Sequence, residues 1–131
     1  MRLYLDTAPV IYVVEQVPDF SEKFLHYIQK PDIELIVSDL TWMECRVKPL
    51  TENKEPLLAD YDKFFSQSVI EIVELSRRVL ERAAHIRSQY NIKTPDAIHL
   101  GAAIISKCDI FLTNDRRLER FEDSHITVQR I

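Results

Sequence analysis

Four acidic residues stand at places where a chain can do chemistry: Asp6 in LYLDT, Glu44 in WMEC, Asp96 in TPDAIHL and Asp115 in TNDRR. Asp6 and Asp115 each close an apolar, strand-like run. Asp96 and Glu44 each fall in the first turns of a helical pattern. Carboxylates converging from such ends form an all-oxygen site, which suits a hard cation such as Mg²⁺ or Mn²⁺. One or two such ions lower the pKa of a bound water and clamp phosphate oxygens, the two requirements of phosphodiester hydrolysis. Without the ion the acids repel one another, so the cluster is a cation trap. Each acid also has a local role open to it. Asp6 can cap a helix, and Glu44 lies three residues after Thr41, a capping-box spacing. Asp96 can favour a helix N-terminus, and Asn114-Asp115 can form a turn. The local account needs four separate explanations, whereas a common site needs one.

Other chemistries find little support. His26, His85, His99 and His125 show no HxH or HExxH spacing, which argues against zinc. Cys45 and Cys108 belong to no CxxC pair and read as buried free thiols. Gly101 is the only glycine, so no glycine-rich loop exists to bring backbone N–H groups against a phosphate. Phosphate chemistry here must use side chains or metal ions. The formal net charge of −4 runs against a nucleic-acid ligand. If four acids share one site, however, the remainder of the chain is neutral overall.

The elements that must position these acids follow from periodicity. Strands are expected at Arg2–Leu5, Glu34–Val37, Val69–Val73, Ile110–Thr113 and Ile126–Val128. Helices are expected from about Ala8 to the break at Pro18, over Phe20–Gln29, over Leu40–Val47 with a stop before Pro49, and around Pro56–Ser66. Ser76 caps a helix whose apolar residues are Val79, Ala83, Ile86 and Tyr90, and Asn91 suits its C-terminal turn. Thr94 as cap and Pro95 at the first position open the next helix, Asp96–Ser106. Its nearly all-apolar surface marks it as buried. Arg116–Arg120 reads as a short helix. Alternating β and α elements over 131 residues predict a single α/β domain, a three-layer α/β/α sandwich on a central parallel sheet. In such sheets the functional crevice lies at the carboxyl ends of the strands.

The segments LYLDTAPVIY, WMEC, KTPDAIHLGAA and FLTNDRRL resemble, in order and spacing, the four signature blocks of PIN-domain nucleases, closest to the VapC-type toxins of bacterial toxin–antitoxin pairs. The likeness runs from Leu3 to Val128. It implies a PIN-like fold and endonucleolytic cleavage of RNA with Mg²⁺ or Mn²⁺. By position it implies that Asp6, Asp96 and Asp115 are the metal-site acids and Glu44 the second-block acid, ligating directly, through water, or assisting deprotonation of the attacking water. Thr113 and Asn114 match the polar pair beside the last acid. Asp39, at the end of the second strand, is a rival to Glu44. The likeness also implies a homodimer and an antitoxin whose tail occludes the acidic site.

Further residues are expected to do less. Arg116 and Arg117 follow Asp115 and can contact RNA phosphates or simply be solvated, as can Arg46 and Lys48. Trp42 and Tyr12 can stack on bases but fit core or interface packing better. His99 reads as a hydrogen-bonded core histidine, and Gly101 as a site of close helix packing. No apolar run is long enough to span a membrane, and the start MRLYLDTAPV lacks the layout of a signal peptide, so a cytoplasmic protein is expected. The competing functions are a PIN-fold nuclease acting on DNA or in RNA maturation, and a catalytically idle PIN domain used for protein binding. Four mutually repelling acids argue against the idle domain.

Overall fold

Side-chain alternation sorts each strand between two cores. In β1 (Arg2–Leu5), Leu3 and Leu5 enter one core and Tyr4 the other. In β2 (Glu34–Ser38), Leu35 and Val37 join the first core and Ile36 the second. Phe111 and Leu112 of β4 (Ile110–Thr113) divide in the same way. A strand apolar on both faces must be covered on both, and it is. One core is closed by α1 (Thr7–Val14), α2 (Phe20–Ile28), α3 (Asp39–Thr51) and α4 (Glu55–Gln67) through Val10, Phe24, Cys45, Tyr61 and Phe65. The other is closed by α5 (Arg77–Tyr90) and α6 (Thr94–Ile105) through Val79, Ala83, Ile86, Ala97 and Leu100. The computed structural model describes residues 1–131 and forms the expected α/β/α sandwich.

With β3 (Glu71–Val73) and β5 (Thr127–Arg130), the five strands form one parallel sheet in the order β3-β2-β1-β4-β5. The chain builds outward from β1 on one side, then returns to build outward on the other. The switch in direction falls between β1 and β4, where Leu3, Tyr4 and Leu5 pair with Ile110, Phe111 and Leu112. Such a switch opens a crevice at the carboxyl ends of the two strands. No helix is long and apolar enough to cross a membrane.

Several boundaries differ from expectation, and α1 ends at Val14, short of the break at Pro18. Helix α3 does not stop before Pro49 but runs to Thr51, with Pro49 buried inside it. Proline in the last turn deprives only one carbonyl of its helical partner. Beyond it the ladder resumes, Glu52 N–H donating to Lys48 O and Lys54 N–H to Pro49 O. Helix α6 begins at Thr94 with Lys93 as its cap, so Thr94 is not the cap; its hydroxyl instead accepts from Arg87. Strand β3 keeps only Glu71–Val73, and β5 lies slightly later than Ile126–Val128. In a chain with one glycine, left-handed turn positions fall to Gln16, Asp19, Asn53, Asn91 and Lys107. Asn91 ends α5 in this way, at φ 48°.

Gly101 lets α6 lie directly on α5. A Cβ there would meet the carbonyl oxygen of Val79 at 2.9 Å and the backbone nitrogen of Ala83 at 3.2 Å. Both are backbone atoms, which cannot rotate away. Gly101→Ala should therefore destabilise the protein by about 1–3 kcal/mol through overpacking, despite a helix-propensity gain of about 1 kcal/mol. Guanidinium denaturation measures it; an unchanged or higher midpoint would mean that the two helices have room to separate.

Candidate active site

The crevice holds the acids. Asp6 follows β1 directly, with its backbone extended and its N–H donating to Leu112 O across the β1–β4 pair. It caps α1, Oδ1 accepting from Thr7 N–H at 2.8 Å. Its Oδ2 accepts from the Thr113 hydroxyl at 2.7 Å. Thr113 is wholly buried, and its Oγ1 in turn accepts from the Asp115 N–H at 3.0 Å. A single threonine at the end of β4 thus ties the first acid to the last. Asn114 donates to the Tyr12 hydroxyl, and the Tyr12 ring stacks on Phe20 with centroids 4.5 Å apart.

Asp115 caps the 3₁₀ turn Arg116–Arg120. Its Oδ1 accepts from the backbone and Nε of Arg117 at 2.9 and 3.1 Å, and its Oδ2 from the same guanidinium at 2.8 Å. The Arg117 guanidinium holds the Asp115 carboxyl below the usual carboxylate range. Arg116 is exposed.

Asp96 lies in the first turn of α6, half-buried, and its carboxylate makes no hydrogen bond to the protein. Burial pushes its carboxyl up, and the charges of Asp6 and Asp115 push it further; His99 and Arg117 only partly offset them. Asp96 is therefore the acid that bears the unrelieved negative charge of the cluster.

Glu44 reaches the same place from α3. The capping box at the start of this helix is made by Ser38 and Thr41, so Glu44 takes no part in it. Its Oε1 accepts from the Thr7 hydroxyl at 2.7 Å and lies 2.7 Å from His99 Nε2. Burial pushes the Glu44 carboxyl up, but the hydrogen bonds from His99 and Thr7 outweigh it and leave Glu44 below its ordinary range. His99 Nε2 also lies 3.7 Å from Asp6 Oδ1. On its other side, Nδ1 is 2.7 Å from the Tyr4 hydroxyl, which donates to Ser38 Oγ at 2.8 Å. His99 is the buried, hydrogen-bonded histidine expected, but it is also a neighbour of two site acids. Neither that role nor those of Thr7 and Tyr4 was foreseen. One signal existed: His99 is one turn beyond Asp96, and so on the same face of α6.

Asp39, the rival to Glu44, is exposed at the start of α3 and bonds to none of these residues. Arg46 pairs with Asp62 and Lys48 with Glu15, each at 2.7 Å. Trp42 is not a core residue; it lies on the surface beneath the Arg46 guanidinium. Both cysteines are buried and free, and burial pushes the Cys45 thiol up to about 12.

The donor set is all oxygen and negatively charged, and it leaves Asp96 without a partner, which fits a hard divalent cation. As the side chains stand, no group of three histidine, cysteine, aspartate or glutamate residues is arranged to hold a metal ion. Asp115 gives both oxygens to Arg117, and Glu44 gives Oε1 to His99 and Thr7.

A carboxylate crevice at the switch point of a parallel α/β sheet lies where such folds place their functional groups. The PIN domain matches residues 3–123, and the chain belongs to the PIN domain family, whose members are generally nucleases using divalent metal ions. Solved structures share the fold over nearly the whole chain. VapBC2 from Rickettsia felis, bound to a DNA fragment from its promoter, is 16% identical, covers 99% of this chain and 98% of its own, and has a TM-score of 0.78. DNA-bound VapBC from Salmonella typhimurium is 19% identical, with 99% and 98% covered and a TM-score of 0.76. VapC20 of Mycobacterium tuberculosis, a Sarcin-Ricin loop cleaving toxin, is 12% identical, with 94% and 92% covered and a TM-score of 0.65. No curated protein matches the chain.

The charge on Asp96 has a sign that can be tested. Its carboxyl is raised, so the folded protein keeps this proton to higher pH than the unfolded chain does. Stability from this group is present at low pH and is lost as pH rises through the folded-state pKa. In EDTA at pH 7, Asp96→Asn should melt no lower than wild type, and its advantage should shrink as pH falls toward the ordinary aspartate value of about 3.9. Loss of the helix-dipole contribution, about 0.3–1 kcal/mol, opposes the gain. Melting curves at both pH values check this; a variant clearly less stable at pH 7 would make Asp96 a structural helix-start residue.

Proposed function

We propose that this protein is a metal-dependent endoribonuclease, the toxin of a toxin–antitoxin pair. The observation that carries the reading is the gathering of Asp6, Asp96 and Asp115 at the β1–β4 switch point, with Asp96 unpartnered and raised by the other two charges. Asp6, Asp96 and Asp115 would hold one or two Mg²⁺ or Mn²⁺ ions, with Glu44 ligating directly or through water. When bound, the ion supplies a nucleophile at neutral pH and neutralises charge on the phosphate.

The chain's own residues have separable tasks. Thr113 fixes the spacing of Asp6 and Asp115 by bonding both. His99 and Thr7 hold one oxygen of Glu44, leaving the other to accept a proton from the attacking water. Arg117 balances Asp115 in the protein alone, and its exposed guanidinium can exchange that carboxylate for an RNA phosphate. Arg116 and Asn114 flank the same edge. RNA as substrate is supported by the shared fold with VapC20, a Sarcin-Ricin loop cleaving toxin. An antitoxin partner is supported by the fold likeness to toxins solved within VapBC complexes. A homodimer and a cytoplasmic site of action complete the proposal. An idle domain would leave repelling acids together for no return in chemistry.

Asp6→Asn, Asp96→Asn and Asp115→Asn should each abolish Mn²⁺-dependent cleavage of total RNA while circular dichroism stays that of the wild type. Near-normal cleavage by any two of them would sink the site assignment, and full activity in excess EDTA would sink metal dependence.

Glu44→Gln should lower the rate by at least ~10²-fold, the range of a positioned acid–base group. Asp39→Asn should lower it far less. Initial rates on one RNA decide the order, and its reversal would move the second-block role to Asp39.

A further inference from the structure

One cavity of the protein lies well away from the acids. It has a volume of about 420 Å³ and is lined by Arg78, Arg82, Lys107 and His125, with Ile104 and Ile105 as an apolar wall. It sits where α6 ends, beside the residues that lead into β4 and β5. That is the amino edge of the sheet, whereas Asp6 and Asp115 lie at the carboxyl edge, a four-residue strand or roughly 13 Å away.

Three features mark this cavity as unfinished. First, Arg78, Arg82 and Lys107 make no ion pair within the chain. Second, Arg78 and Arg82 are four residues apart on one face of α5, where like charges repel. Third, Arg82 Nε is the one buried side-chain nitrogen or oxygen in the protein without a hydrogen-bond partner. A buried donor left unmade is costly, and a charged one more so. An anion between the two guanidinia would answer the first two, through their Nη groups; Arg82 Nε itself is enclosed by the protein.

The remaining wall does not oppose an anion strongly. Asp109 is the only acid in it, and its Oδ2 is already engaged by the Arg2 N–H at 2.8 Å. Burial pushes the Cys108 thiol up to about 11, so it is neutral at pH 7. Guanidinium pairs recognise phosphate oxygens in bidentate fashion. The volume exceeds what a lone phosphate ion needs and lies in the range of small-molecule sites, and Ile104 and Ile105 offer an apolar surface for a ring.

We infer that this cavity binds a free nucleoside phosphate, with Arg78, Arg82 and Lys107 on the phosphates and Ile104 and Ile105 against the base. The site is separate from the proposed nuclease centre and does not depend on that reading.

Calorimetric titration of the full chain in EDTA tests it, with ADP, AMP, adenosine and citrate as probes. ADP should bind with a Kd below ~1 mM, AMP more weakly, and adenosine and citrate not measurably. Arg78→Gln combined with Arg82→Met should weaken ADP at least ~10-fold, the effect of losing one charge-assisted hydrogen bond. Arg78→Gln alone, at an exposed position, should weaken it ~3-fold or more and covers the case in which the double variant fails to fold. Asp96→Asn should bind ADP as wild type does, which keeps this result distinct from the fate of the nuclease site. The inference is overturned by no ADP binding, by unchanged binding in the arginine variants, or by equal binding of adenosine or citrate. A 5′-phosphorylated RNA tetranucleotide displacing ADP better than AMP does would also overturn it, by making the cavity part of an RNA path.

Discussion

Parallel pairing of β1 with β4 is the contact on which the site depends. It sets Leu5 beside Leu112, so the next residues, Asp6 and Thr113, meet as the strands end. These segments are more than a hundred residues apart in the chain, and nothing local brings them together. What does is the burial of both strands between the same two cores, with Leu5 beside Leu112 on one face and Tyr4 beside Phe111 on the other. The hydrophobic cores and the spacing of the acids are therefore set by the same ladder.

Around that point the protein distributes charge unevenly. Asp115 is paired with Arg117 and Glu44 is hydrogen-bonded to His99 and Thr7, while the Asp96 carboxylate has no partner. A site with every acid neutralised internally would have no call on a cation, and one with none neutralised would strain the fold. Here the compensation comes from an exposed arginine and from a buried histidine that is itself held by Tyr4. The first can be exchanged for solvent or ligand at little cost, as exposed ion pairs are weak. The second cannot move without disturbing the Tyr4–Ser38 bond at the start of α3.

Much of this was legible in the sequence because it is local. Strand alternation, the Thr94-Pro95 helix start and the uniformly apolar α6 each report themselves within a few residues, and the acids drew notice because they sit at element ends. What could not be read is what depends on space. Tyr4 and His99 meet across 95 positions, and no period in the sequence encodes their bond. Strand order is equally silent, since the same alternation of elements suits several orders. Pro49 misled because a proline ends a helix by rule, whereas its place in the last turn makes it tolerable. The cationic cavity left no trace for the same reason as Tyr4 and His99: its residues come from α5, from the end of α6 and its connection to β4, and from the approach to β5.

The contact at Gly101 has a bearing on how this protein can change over time. Helix α6 carries Asp96 in its first turn and Gly101 in its middle, and it rests on the backbone of α5 with no side chain between. Any larger residue there must push the helices apart, and the push is delivered along the same rigid rod to the carboxylate. Helix packing and the position of the Asp96 carboxylate are thus one mechanical coordinate. Drift at this interface that the fold tolerates still moves the acid, and a second substitution that restored stability by refilling the gap would leave the acid displaced.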